Sequence, residues 1–455
     1  VQNAPRKELS LFDSTCLIVG IIIGAGIYEV VPTVALGTGT WWAFLGIWLL
    51  GGVLSLCGAL GYAELATAYP KEGGDYVYLT RAYGRWAGFL FGWMQLVVVR
   101  PGDIAGMAFI FARYGRALYD PLPDVTVPYD RLPFGWFTEA SVPVSQLLYA
   151  AAAVVVLTAI NVIGVTQGKW TQNLLTTLKA LGLLAIVGVA VMAPPSSLGP
   201  AIGDTLPLSL ALILVLFTFG GWNEMAYVAA EVKHPDRNII RALVLGTAAV
   251  TLLYLLVNGA FLYTLGLAGM AGSKAVATDA VSSVFPALGA GLISALVCIS
   301  ALGATNGLIF TGARISYAVG AEHRVFRPLG QWHPRTGTPV RALVVQGFIA
   351  VGLIVLLGSF VNAILYTAAA VYSFYLATSL AVVVLRHKEP HVARPYRVTG
   401  YPVPTVVFCA VCAFLIYSAV VYKPWIAVAA LGVLLLGLPI YAVSRSQSGE
   451  APEER

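Results

Sequence analysis

LIVGIIIGAGIYEVVP, residues 17–32, is continuously apolar, yet Gly24-Ala25-Gly26 interrupts it halfway along a membrane-length run and Pro32 follows. Glycine inside a helix costs roughly 1 kcal/mol relative to alanine, so this helix is expected to open at the interruption. Close packing against a neighbouring small-residue face is the alternative, since Gly20 and Gly24 are four residues apart. A second stretch weighs against that alternative. LVLFTFGGWNEMAYVAAE, residues 214–231, is interrupted at Gly220-Gly221, between Phe219 and Trp222. The two breaks fall at equivalent places if spans one to five and six to ten are repeats. Paired interruptions of this kind mark the binding site of inverted-repeat carriers, where half-helix N-termini hold an anion and unwound carbonyls hold a cation.

Working outward, the 455 residues are 58% hydrophobic and only 11% charged, against roughly 25% charged in soluble proteins. That shortage of a polar shell excludes an ordinary soluble enzyme. A crossing helix needs about 20 apolar residues. Runs of that length fall near 11–37, 41–69, 82–111, 142–164, 170–193, 208–231, 240–267, 285–311, 340–358, 360–385, 402–421 and 424–444, so twelve spans are expected. None alternates in the manner of barrel strands. The chain divides into an N-tail (1–10), a first repeat (11–193), a second repeat (208–385), two further helices (402–444) and a C-tail (445–455). With both tails cytoplasmic, the inner segments hold 20 Lys and Arg and the outer loops five: Arg113, Arg116, Arg131, Lys274 and Lys423. The positive-inside rule therefore places both termini in the cytoplasm of a cell membrane. The first ten residues are polar and no cleavable signal is expected. The net charge of +6 is topological, because no basic run or Arg/aromatic block suited to nucleic acid occurs. Cys16, Cys57, Cys298, Cys409 and Cys412 all lie in apolar segments with no CxxC, which speaks against a disulfide frame or a zinc site.

The backbone exposed at the breaks suggests a ligand. Free N–H groups of Ala25, Gly26 and Ile27 suit a carboxylate, and carbonyls near Ile22, Ile23 and Phe219 suit an ammonium. Together they describe the zwitterionic head of an α-amino acid. Selectivity for its side chain must come from elsewhere, and Phe217, Phe219 and Trp222, around Gly220 and Gly221, are candidates for a lid. Asn223 is expected beside them, either in the site or satisfying carbonyls that the break frees.

Charges within spans need a reason to be there. Lys179 lies some ten residues into its span, where a charge costs at least about 2.5 kcal/mol. Snorkelling to the cytoplasmic interface is the structural alternative. Arg100 and Asp103 are spaced for a mutual pair at i,i+3. Glu64 and Glu231, near cytoplasmic ends, are expected to pair with loop arginines, and Glu224 follows the second break as a gate or scaffold residue. Asn306, among small residues, is either an interhelical hydrogen bonder or a neighbour of the lysine site. Glu29, just after Tyr28, would favour a cationic side chain. No HExxH, GxSxG or Walker loop is present, and the five histidines fall in inner loops, so no catalytic, metal or cofactor site is expected. A channel would need charged or carbonyl rings from identical subunits, which two unlike broken helices in one chain do not supply.

Several separated motifs resemble the amino acid-polyamine-organocation transporters over nearly all spans. They are GAGIY (24–28), GYAELATAYPKEGGDYVYL (61–79), FTFGGWNEMAYVAAEVKHPDRNIIRAL (217–243), ATNGLIFTGARISYAVGAEH (304–323), HPRTGTPVRAL (333–343) and LRHKEPHVARPYRVTGYPVP (385–404). WMQLVVVRP (93–101) and FGGWN (219–223) are most similar to the L-type amino-acid transporters, the light subunits of heteromeric exchangers and their bacterial relatives. The resemblance implies an all-α polytopic protein of twelve transmembrane helices with the leucine-transporter fold, a five-plus-five inverted repeat whose helices 1 and 6 are discontinuous. It implies sodium-independent exchange or facilitated passage of mostly neutral L-amino acids, with cationic amino acids, polyamines or proton coupling as the alternative. It gives Lys179 the place of a sodium ion, bridging carbonyls of the first helix to the eighth. Ala25 departs from the commoner serine, and with Glu29 it leaves the side-chain class open. The outer loop over 119–141 has no cysteine, so a disulfide-linked heavy chain is not expected.

Overall fold

The computed structural model describes residues 7–128, 141–196, 206–287, 289–358, 360–422 and 424–446. Arg131, Lys423, the first six residues, most of the C-tail and much of the loop over 119–141 lie outside them. The described chain is helical almost throughout. Ten helices among the described residues are long and apolar enough to cross a membrane. The eleventh and twelfth expected spans carry shorter described apolar stretches, Val403–Ser418 and Leu431–Ser444.

The first span is three pieces: α1 (Leu11–Ile22), α2 (Gly26–Glu29) and α3 (Val31–Thr38). Ser10 caps α1 in a capping box with Asp13, satisfying two of its free N–H groups. Pro32 sits in the first turn of α3, where a missing N–H costs nothing. Then come α4 (Trp41–Ala68), a short α5 (Asp75–Tyr83), and α6 (Arg85–Met94), which runs through a π-helical turn (Gln95–Val99) into α7 (Arg100–Leu118). Pro101 accounts for the wide turn, because its ring would collide with the carbonyl four residues back and it has no N–H to offer. A small antiparallel pair, β1 (Thr126–Pro128) with β2 (Ser141–Pro143), precedes α8 (Val144–Ile163) and α9 (Val165–Met192).

The sixth span is again broken. α10 (Leu208–Thr218) stops at Phe219, and a ten-residue 3₁₀ helix (Trp222–Glu231) continues after Gly220 and Gly221. Then follow α11 (Pro235–Gly272), α12 (Val276–Ser282), α13 (Gly289–Glu322), α14 (Val340–Leu357), α15 (Phe360–Lys388), α16 (Val403–Tyr422) and α17 (Pro424–Ser446). The broken pieces lie inside the bundle: α1 packs on α9, α11 and α13, and α10 on α3 and α4. Small residues permit this closeness. A Cβ on Gly52 of α4 would lie 2.3 Å from Thr251 Oγ1 of α11.

On the expected cytoplasmic side, the predicted carboxylate–arginine pairs are present. Glu64 bonds Arg386 (2.5 Å from Nη2), lies 3.5 Å from Arg394 Nε and accepts the Val398 N–H at 2.7 Å. Glu231 pairs with Arg314 at 2.7 Å, both fully buried, although Arg314 belongs to α13 and not to a loop. Beside them, in the turn between α4 and α5, burial pushes the Glu72 carboxyl up from 4.5 to about 7, and the nearby Glu231 charge adds to the effect. A carboxyl raised in the folded state binds its proton more tightly there than when unfolded. Its contribution to stability is therefore lost as pH rises from about 4.5 to about 7. Glu72→Gln should flatten that part of the thermal stability profile of the detergent-solubilised protein; an unchanged slope would count against it.

Candidate functional site

The two breaks face one another. Gly221 has a left-handed φ of +107°, and a Cβ there would lie 2.6 Å from Ile21 Cγ2 at the end of α1. Around the first break, Ile23 N–H donates to Val19, Gly24 N–H to Ile22, and both Tyr28 and Glu29 N–H to Ala25. Among the backbone bonds described, Ala25, Gly26 and Ile27 donate to no carbonyl in this turn, as expected for the start of a helix. α2 runs on into α3 with only Val30 between, so the dipoles of both add at this end.

A cavity of about 140 Å³ opens beside these amides. Ile22, Gly24, Ala25, Gly26, Phe217, Gly220, Gly221 and Trp222, all singled out from the sequence, line it. The remaining walls include Ser55 of α4, Asp103, Gly106 and Met107 of α7, Glu224 just after the second break, Ala304 and Leu308 of α13, Thr367, Tyr372 and Tyr375 of α15, and Phe408 and Cys412 of α16. The α15 and α16 residues carried no signal in the sequence, because an aromatic or cysteine in an apolar span looks the same whether it faces lipid or a cavity. Trp222 packs edge-on against Tyr62 and Phe408, at 5.1 and 5.4 Å between ring centres, and leans on Tyr375.

Several expected contacts are redirected. The Ile23 carbonyl is not free for an ammonium, because Lys179 Nζ reaches it at 2.8 Å and Ser300 Oγ at 3.0 Å. The Ile22 carbonyl accepts the Tyr254 hydroxyl at 2.9 Å, leaving it less available to a ligand than expected. Phe219 is no lid: its ring is fully buried against Tyr254 and Trp48, behind the cavity. The Ile27 side chain is core. Asn223 is engaged with two phenols: it donates to Tyr227 Oη at 2.9 Å and accepts from Tyr375 Oη at 2.8 Å. Glu29 points away from the cavity, accepting from Tyr114 Oη at 2.6 Å with Arg113 at 3.4 Å.

Lys179 does not snorkel. It is fully buried, and its Nζ donates to the carbonyls of Gly20 (2.7 Å), Ile23 (2.8 Å) and Ser300 (2.9 Å). One ammonium thus ties the C-terminal end of α1 to α13, with its three donors matched to three acceptors. Ser300 Oγ completes the clasp on the Ile23 and Gly24 carbonyls. Asn306 lies elsewhere, bonding Asn161, Gln172 and the Gly168 carbonyl, so it joins α8, α9 and α13. The small residue beside the ammonium is Gly303, where a Cβ would be 2.7 Å from Nζ.

Arg100 does not take Asp103 as its ion-pair partner. Its Nη1 lies 2.8 Å from Glu224 Oε1, its Nε donates to Gln95 Oε1 at 3.1 Å, and its guanidinium covers the Tyr227 ring. Glu224 also accepts from Thr311 at 2.6 Å. Removing one member of a buried pair strands the other charge at a cost of about 3–5 kcal/mol. Arg100→Met should therefore lower the melting temperature sharply, and adding Glu224→Gln should recover part of the loss. A double variant no more stable than Arg100→Met would show the pair is not coupled.

A predominantly helical, multi-pass bundle with two interrupted helices around a central cavity defines a membrane carrier. The amino acid permease family model matches residues 9–438. Among relatives, the b(0,+)-type amino acid transporter 1 of Mus musculus is 30% identical over 429 residues, 92% of this chain and 84% of its own. The serine/threonine exchanger SteT of Bacillus subtilis (strain 168) is 29% identical over 96% of this chain and 97% of its own. The Asc-type amino acid transporter 1 of Homo sapiens is 30% identical over 96% and 82%. The chain belongs to the amino acid permease family, and its function is amino-acid transport.

Proposed function

We propose that the protein is a sodium-independent exchanger of L-amino acids, neutral ones included, working by alternating access in the cell membrane with both termini cytoplasmic. The observation that carries this reading is the Lys179 ammonium on the Gly20, Ile23 and Ser300 carbonyls. It supplies, as a fixed part of the chain, the positive charge that a bound cation would bring to unwound carbonyls of this kind. The carboxylate of the substrate head would meet the amides of Ala25, Gly26 and Ile27. A largely apolar wall of Met107, Leu216, Phe217, Trp222 and Phe408 would suit an uncharged side chain. Exchange is supported by the relatives' names, one of which is an exchanger.

In this reading residues 11–193 and 208–385 are the inverted repeats, and the helices of the two breaks rock with α4 and α11 against the rest. No disulfide-linked heavy chain takes part. The deciding experiment is counterflow of all amino acids in sodium-free proteoliposomes. Saturable uptake accelerated by amino acid on the opposite side is expected. Uptake that needs sodium would overturn the reading, as would unitary currents, or substrate-driven acidification of vesicles lacking internal amino acid.

A further inference from the structure

Beneath the cavity, on the side of the bundle that holds the N-terminus, one carboxylate is held by hydroxyls alone. Asp75 opens α5, is fully buried, and forms no ion pair among the described residues. Its Oδ1 accepts from the hydroxyls of Tyr62 on α4 and Thr378 on α15, and Tyr227 of the 3₁₀ helix is a third hydroxyl partner. Two glycines bring it there. Gly73 and Gly74 take φ of +92° and +46°, and the Gly73 N–H donates to the Tyr227 carbonyl at 3.2 Å. A Cβ on Gly74 would lie 2.8 Å from Tyr227 Cδ1, so a residue with a side chain would push the turn off the 3₁₀ helix.

The same phenols reach the cavity wall. Tyr62 packs edge-on against Trp222 and Tyr375, at 5.1 and 6.2 Å between ring centres, and both of those rings line the cavity. Tyr227 Oη accepts from Asn223, which in turn accepts from Tyr375.

Asp75 also sits on a seam. α5 is fastened to α15, by Arg81 to Glu389 at 2.9 Å and by Tyr83 Oη to the Ala377 carbonyl at 2.9 Å. Tyr62 and Tyr227 belong instead to α4 and to the second broken span, which rock against α15 in the alternating access proposed above. Glu64 with Arg386 and Glu231 with Arg314 cross this seam as ion pairs, whose parting leaves two charges to be rehydrated. Phenols on a carboxylate part more simply, because water replaces each of them and no cation is stranded.

We propose that Asp75 is the releasable bolt of an inner seal: it holds Tyr62 and Tyr227 of the rocking helices against α5 and α15, and the cavity opens toward the N-terminal side only when those two phenols leave it. This inference rests on the alternating access proposed above and assigns its inner closure to named groups. Thr378 stands on the same side of the seam as Asp75, so its hydroxyl orients the carboxylate without bolting anything.

Cys412 lines the cavity from α16 and serves as a native probe. Inside-out and right-side-out vesicles carrying the full chain are treated with a small membrane-impermeant methanethiosulfonate, and a Cys412→Ser chain gives the signal of the other cysteines for subtraction. Wild-type Cys412 should react slowly from the face that carries the N-terminus. Asp75→Ala and Tyr62→Phe should each react there at least about tenfold faster, as the population shifts to the inward-open form. Thr378→Val should stay within about twofold of wild type, although its hydroxyl binds the same oxygen and is as deeply buried. Tyr62→Phe removes a single oxygen and keeps the test available if Asp75→Ala does not fold. Wild-type rates from this face for Asp75→Ala and Tyr62→Phe would overturn the bolt. So would equal acceleration by Thr378→Val, which marks lost packing, or a wild-type chain that reacts equally fast from both faces. Loss of leucine counterflow from the wild type would instead sink the exchanger and leave the labelling to judge the seal.

Discussion

Replacing Lys179 by alanine is expected to reduce amino-acid exchange at least about 100-fold, because three buried carbonyls lose the charged donor that ties them together, and hydrogen bonds to a charged group contribute about 1.5–3 kcal/mol each. Those carbonyls belong to Gly20, Ile23 and Ser300, so the loss falls on the interrupted segment at which the substrate head is proposed to bind. Arginine should not rescue. Its planar fork is wider than an ammonium, and Gly303 packs so tightly that a Cβ there would be 2.7 Å from Nζ and 2.8 Å from Cε. Lys179→Met keeps the apolar stem and separates charge from packing. The measurement is counterflow per milligram of monodisperse reconstituted protein, with thermal unfolding followed in parallel. Exchange by Lys179→Ala at the wild-type rate, with the same pH dependence, would remove Lys179 from the mechanism.

Gly221→Ala should lower exchange at least about tenfold, since a non-glycine residue held at an unfavourable positive φ stores about 1–3 kcal/mol of strain. The strain has a second source. The added methyl would lie 2.6 Å from Ile21 Cγ2 and 3.3 Å from Ile21 Cβ, pushing apart the two broken helices where they meet. Gly220→Ala should do less, because its nearest contact is the Phe217 carbonyl at 3.0 Å and its φ is not positive. Gly46→Ala is the control, since a Cβ there meets nothing within 4 Å. Initial rates over a range of substrate concentrations for the three variants make the comparison. Equal rates for Gly221→Ala and Gly46→Ala would show that the joint tolerates a side chain.

Much of this was legible before any coordinates. The break at Gly24 to Gly26 could be read because glycine's backbone freedom is a property of the residue. The burial of Lys179 could be read because a lysine ten residues into an apolar span has few alternatives. Glu64 and Glu231 found arginines because carboxylates at inner helix ends lie among basic residues that the positive-inside rule collects there. The errors share a cause as well. Spacing alone suggested Arg100 with Asp103, yet Glu224 of another helix took the arginine and left Asp103 facing the cavity. Phe219 and Trp222 looked alike as lid residues. The left-handed turn at Gly221 separates them, one ring going behind the cavity and the other into its wall.

By itself, then, the sequence determined that the chain crosses a membrane many times, where two of its apolar segments open and which charges need partners inside. These follow from transfer free energy and glycine geometry, which are local quantities. The tertiary structure decided which carbonyls Lys179 satisfies, which carboxylate Arg100 neutralises and which side chains line the cavity. Those outcomes depend on how each helix is rotated about its axis and where it crosses its neighbours, and that is settled only when all the packed faces are brought together.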